Sequence, residues 1–92
     1  MSQPLTNAEK RDLKASAQRL EPVVKVGQAG LTDGFYNSLN EALTQHELVK
    51  VKFAAFKEDK KVLAPQIAER TGSELITRVG NVAVYFRRRV KE

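Results

Sequence analysis

From Val49 to Phe53 apolar and basic residues alternate, Val-Lys-Val-Lys-Phe, the period-two signature of a half-buried strand. The run from Leu48 to Phe53 is therefore expected to turn Val49, Val51 and Phe53 inward and Lys50 and Lys52 the other way. Upstream the period changes. Leu31, Phe35, Leu39, Ala42 and Leu43 form a helical stripe, which predicts a helix from about Thr32 to His46 with Thr32 as its N-cap. Leu13, Ala17 and Leu20 recur at about the same spacing behind Thr6-x-x-Glu9, a capping-box pattern, so a first helix is expected near residues 7–19. Pro22 closes that region, and Val23–Val26 reads as a short strand. Lys57-Glu58-Asp59 leads into a third helix over about 60–70, capped by Asp59 and delayed or kinked by Pro65. Gly72 is placed to end it in the left-handed conformation. Strands at Glu74–Val79 and Ala83–Arg87, joined at Gly80-Asn81, complete the pattern.

The order helix–strand–helix–strand–helix–strand–strand predicts an α/β fold. It is a two-layer sandwich with a four-stranded mixed sheet and three helices. Parallel pairings are expected among the strands joined through helices, and an antiparallel hairpin at the end. Ninety-two residues suffice for a single domain with one modest core, and no repeat or linker divides them.

Composition narrows the function. There is no cysteine and one histidine, His46, so disulfides, thiolate metal sites and a Cys nucleophile are excluded. His46 has no second His or Cys to share a metal, and its place at a helix end suits interaction with the dipole. No cofactor and no catalytic residue is expected, and no dinucleotide-type glycine fingerprint is present. Without a long apolar segment or an apolar leader, the chain is expected to be cytoplasmic, with no membrane contact.

Sixteen Lys and Arg against eleven Asp and Glu leave a net charge of +5, which points to an anionic partner. The charge is uneven. Leu31 to Glu47 holds no Lys or Arg, while basic residues gather at Lys10, Arg11 and Lys14, at Lys50 to Lys61, and at Arg87 to Lys91. Gly27-Gln28-Ala29-Gly30 lies between a strand and a helix start. Glycines there allow a ligand backbone to approach, and a helix N-terminus favours an anion. Gln28 and Ala29 at the tip can offer amides, and Lys25 should lie on the face opposite Val24 and Val26. A nucleic-acid phosphate is the expected guest. The alternative is a protein-interaction module whose basic face docks an acidic partner. Tyr36 and Tyr85 are the aromatic candidates for base stacking, with core packing favoured for both.

Three separated segments together resemble the CRM domain. They are Pro22-Val-Val-Lys-Val-Gly-Gln-Ala-Gly-Leu-Thr32, then His46-Glu-Leu-Val-Lys-Val-Lys52, then Arg78-Val-Gly-Asn-Val-Ala-Val-Tyr-Phe-Arg87. The likeness runs from about Leu5 to Arg87. This domain stands alone in bacterial and archaeal proteins of the YhbY type and recurs in plant organelle splicing factors. The resemblance implies an RNA-binding fold similar to the C-terminal domain of bacterial translation initiation factor three. It also implies, for the stand-alone bacterial form, association with ribosomal RNA in precursors of the large ribosomal subunit; the chain is expected to be a monomer. Its Gly-x-x-Gly loop is comparable, locally and chemically, to the loop by which KH domains clamp a nucleic-acid backbone. RNA contact is thus expected at Gly27, Gln28, Ala29, Gly30 and Lys25, supplemented by Lys10, Arg11 and Lys14. The resemblance adds Arg87 in preference to Arg88, which with Arg89 and Lys91 forms a basic tail over about 88–92. Phe86 departs from the tyrosine that relatives often carry, and Pro65 is unusual in the third helix and has no function assigned to it.

Overall fold

Alternation along the chain becomes two faces of one sheet. In the computed structural model, which describes residues 5–88, the elements are α1 (Asn7–Ala17), β1 (Val24–Val26), α2 (Asp33–His46), β2 (Leu48–Phe53), a 3-10 turn (Lys57–Asp59), α3 (Lys60–Thr71), β3 (Glu74–Val79) and β4 (Val82–Phe86). Val49, Val51 and Phe53 are buried on one face of β2, with Lys50 and Lys52 on the other. That buried face is closed by α2 and α3, whose Phe35, Leu39, Leu43, Ala64 and Ile67 pack with Val26, Ala83 and Tyr85 into the main core.

The strand order is β1-β2-β4-β3. β1 and β2 pair in parallel, while β4 runs antiparallel to both β2 and β3. The expected parallel pairings thus reduce to one, because β4 returns from its hairpin and inserts between β2 and β3. Its sequence explains the central place. Val82 to Phe86 is apolar throughout, the pattern of a strand covered on both sides. Ala83 and Tyr85 face α2 and α3, whereas Val84 and Phe86 face α1. The two-layer sandwich of α2 and α3 on the sheet forms most of the molecule. α1 adds partial cover on the opposite face, where Leu13 and Ala17 meet Leu48, Ile76, Val84 and Phe86.

Local signals explain most boundaries. Both capping-box bonds are present, Glu9 N–H to Thr6 Oγ1 and Thr6 N–H to Glu9 Oε1, each 3.1 Å. Thr32 Oγ1 accepts from Phe35 N–H as the N-cap of α2. Gly72 ends α3 at φ 67°, with Ser73 N–H reaching back to Ala68 O. Gly80 takes φ 57° at the first position of the two-residue hairpin turn, where positive φ matches the twist of the strands. Two expectations for α3 fail. Asp59 makes no side-chain cap bond, because the 3-10 turn leaves it at φ −93°, ψ −1° rather than in the extended conformation of an N-cap. Nor does Pro65 delay the helix, which starts at Lys60; Pro65 is exposed, so the carbonyl deprived of its donor lies on the solvent side.

Candidate nucleic-acid interface

Three connections meet at one end of the sheet: Gly27–Thr32 after β1, Ala54–Asp59 after β2, and Gly80-Asn81. Val26 O accepts from the N–H groups of Ala54 and Ala55 (3.0 and 3.1 Å), and Phe53 N–H donates to Asn81 O at 2.7 Å. Lys60 Nζ adds a bond to Asn81 Oδ1. The loop Gly27–Gly30 therefore stands on a tied base.

The two glycines of the loop differ. Gly30 N–H bonds Gly27 O at 3.0 Å to close a tight turn, and Gly30 sits at φ 79°. A side chain there is strained whatever the space around it. Gly27 has no positive φ, and a Cβ built on it meets nothing within 4 Å. The fold itself makes no demand for glycine at this position. Gly27, Gln28 and Ala29 are all exposed.

The start of α2 is a poorer anion site than its position suggests. Thr32 occupies the Phe35 N–H, which leaves the Asp33 and Gly34 amides outside the helix's own bonding. Asp33 places a carboxylate in that same first turn, where it already complements the helix dipole and repels a second anion. Positive charge comes instead from the sheet. The parallel register sets Lys25 beside Lys52, roughly 4.8 Å apart strand to strand, and both are exposed. Like charges in such a pair destabilise it, and an anion held between them would relieve the repulsion. Lys52 is a residue that sequence reasoning underweighted, since only the register reveals its neighbour. Lys50, by contrast, donates from Nζ to Leu20 O at 2.9 Å and ties down the chain between α1 and β1.

Lys10, Arg11 and Lys14 ride on α1, over the same sheet face as Lys25 and Lys52. Arg11 and Lys14 are exposed and Lys10 is half-buried. Arg87 is not brought to the loop. It leaves β4 beside Glu47, whose carbonyl accepts its N–H, at the sheet end remote from Gly27. Its guanidinium donates to Asn40 Oδ1, Asn40 O, Thr71 O and Thr44 Oγ1 over 2.7–3.1 Å. Thr71 is the last residue of α3, so Arg87 supplies a cation and a donor to that helix end. Arg88 points to the α1 side and pairs with Glu9 Oε2 at 2.7 Å. With the Thr6 N–H bond as the larger cause, that pair holds the Glu9 carboxyl below its ordinary value. Arg89 and Lys91 lie outside the described residues.

Neither tyrosine is free to stack. Tyr85 is fully buried, its hydroxyl donating to Ala64 O at 2.9 Å, and burial pushes its ionisation well up. Tyr36 packs edge-on to Phe35. The exposed ring near the loop is Phe56, which sequence reasoning passed over; its signal was an aromatic residue standing three positions beyond the end of a clean alternation. Among the described residues no group of three or more His, Cys, Asp and Glu side chains could hold a metal, and no helix is long and apolar enough to cross a membrane.

Known proteins resemble this chain in architecture and in overall sequence. The solution structure of a hypothetical protein from Staphylococcus aureus superposes with a TM-score of 0.80 at 31% identity, covering 96% of this chain and 93% of that one. A Pseudomonas aeruginosa protein named as a probable RNA-binding protein is 35% identical over 95% of this chain and 85% of its own length. A Haemophilus influenzae protein named an RNA-binding protein is 37% identical, over 90% of this chain and 85% of its own. The family model of the CRS1/YhbY (CRM) domain matches residues 5–87, almost the whole described chain. The protein belongs to the CRS1/YhbY, or CRM, domain family.

Proposed function

We propose that this domain is a cytoplasmic, monomeric RNA-binding factor that holds ribosomal RNA in precursors of the large ribosomal subunit and catalyses no reaction. The observation that carries the reading is Gly27: an exposed glycine that the fold does not need, beside a pair of lysines that the fold does not neutralise. In this reading a phosphate of the RNA backbone sits against the loop amides of Gln28 and Ala29, with Lys25 and Lys52 below it. Lys10, Arg11 and Lys14 on α1 extend the positive surface along the strand. Contacts of this kind position the protein and carry little base information, so the target is chosen by RNA shape and by what is unpaired nearby. Relatives named as RNA-binding proteins and the CRM match favour RNA over an acidic protein as the partner.

The test is sedimentation of lysates in low-magnesium gradients, with and without ribonuclease. Comigration with large-subunit precursors that ribonuclease abolishes supports the proposal. Migration with free protein at every stage of growth, or with a protein complex that resists ribonuclease, contradicts it.

A further inference from the structure

Phe56 is 42% exposed, while Phe35, Tyr36, Phe53 and Tyr85 are buried and Phe86 is half-buried against α1. Its backbone lies in the left-handed region at φ 55°, ψ 36°, which a bulky side chain occupies only where its surroundings hold it. That conformation lays the ring over the loop. Phe56 Cε2 stands 3.5 Å from where a Cβ on Gly30 would be. Beside the ring a groove of about 510 Å³ opens between the starts of α2 and α3, lined by Gly30, Leu31, Phe56, Asp59, Val62 and Leu63. The volume is within the roughly 300–1,000 Å³ of small-ligand sites. Val62 on its wall is 62% exposed.

The chemistry of the groove selects its occupant. Its walls are mostly apolar, no Lys or Arg is among the residues that line it, and the one ionisable residue there is Asp59, whose side chain makes no cap bond to the helix. A phosphate is repelled there. A nucleobase is not: it offers a flat face for the ring and N–H donors at its edge for a carboxylate. We propose that this groove is a base subsite, in which one unpaired nucleobase stacks on Phe56 and donates an N–H to Asp59 while its backbone crosses Gly27–Gly30. Gly30 belongs to both the loop and the groove, so the two sites are continuous. The proposal rests on the RNA reading above and adds to it a requirement for an unstacked base, hence for single-stranded or bulged RNA.

The chain contains no tryptophan, so Phe56→Trp places a single indole fluorophore in the subsite. Three probes are titrated: a ten-nucleotide single-stranded RNA, an abasic ribose-phosphate oligomer of the same length, and heparin. The expected result is that all three bind the wild-type protein at low salt but only the base-bearing RNA strongly quenches the indole of the Phe56→Trp variant. Phe56→Leu keeps the groove apolar without an aromatic face, and is expected to weaken RNA at least about fivefold with the other two probes unchanged. Phe56→Gly, which suits the left-handed backbone, is expected to do the same and covers the case in which the leucine variant misfolds. Equal quenching by RNA and abasic oligomer, or RNA binding unaltered in both variants, overturns the base subsite and leaves the backbone reading standing. Self-association of the wild type that Phe56→Leu abolishes, with RNA affinity unchanged, assigns the groove to a second copy and also overturns it. Failure of the wild type to bind RNA at all overturns both.

Discussion

Replacing Gly27 with alanine separates what the fold needs from what the ligand needs. The added Cβ meets no atom within 4 Å, and the backbone at Gly27 is outside the positive-φ region. Alanine fits without strain. Its effect on stability then comes from the unfolded chain, which loses freedom, and the variant should gain about 0.4–1 kcal/mol. For a domain of this size that raises the melting temperature by about 2–8 °C. In the proposed complex the same methyl group would occupy the space in which the RNA backbone approaches the loop. Displacing one amide-to-phosphate bond costs about 1.5–3 kcal/mol, or at least about tenfold in affinity. Circular dichroism melts and fluorescence anisotropy with a labelled ribosomal RNA fragment, at one fixed salt concentration, read the two effects separately. Gly30→Ala serves as the contrast, because its φ of 79° makes it lose about 1–2 kcal/mol of stability as well. A Gly27→Ala protein that melts at or above the wild-type temperature and binds RNA with unchanged affinity is incompatible with separate roles of this position in fold and ligand. So is one that melts lower.

Four further outcomes follow from the geometry. Arg87→Ala removes a guanidinium with four acceptors and should cost about 2–3 kcal/mol in urea denaturation, while the folded fraction binds RNA as before; a loss of affinity at full stability would place Arg87 in the interface instead. Lys25→Ala and Lys52→Ala should each lower the slope of log affinity against log salt by about 0.7–0.9, whereas Lys50→Ala, which breaks a bond to Leu20 O, should leave that slope nearly unchanged. Tyr85→Phe deletes a buried hydroxyl bonded to Ala64 O and should destabilise by about 1 kcal/mol without altering RNA affinity. Glu9 is held below its ordinary value of 4.5 by the Thr6 N–H and Arg88. The stability it confers on α1 is therefore whole above that value and is lost as pH falls through its lower folded value; Glu9→Gln should flatten this part of an acid titration followed by helix ellipticity.

Single positions explain how far the sequence could be read. Alternation in β2 and the capped stripes of α1 and α2 define local structure by themselves, since each names both its period and its ends. The order of the sheet does not follow from such signals. That β4 enters between β2 and β3 depends on which strand can be covered on both faces, and the unbroken apolar run Val82–Phe86 was the clue. The same antiparallel course carries Arg87 away from the loop, because the end of β4 lies against the start of β2 and Gly27 follows the far end of β1. Lys52 is visible as an outward residue, but its neighbour Lys25 appears only when two distant segments are in register. Phe56 is legible to no periodicity at all. Its exposure comes from a left-handed backbone at a non-glycine residue, which a pattern of residue types does not encode. The cap of α3 fails for a related reason: Asp59 is a good N-cap type, but the preceding 3-10 turn leaves it in the wrong conformation.

In the proposed function the end of the sheet bearing Gly27–Gly30, and not the end bearing Arg87, meets ribosomal RNA. Ultraviolet crosslinking in cells tests it directly, with sequencing of the attached RNA and mass spectrometry of the attached peptides. Reads should concentrate in large-subunit ribosomal RNA, and the crosslinked peptides should span Lys25–Gly30, Lys52 and Phe56. Crosslinks centred on Arg87 and the C-terminal end of α2, or reads spread over messenger RNA with none in the ribosomal sequence, would contradict it.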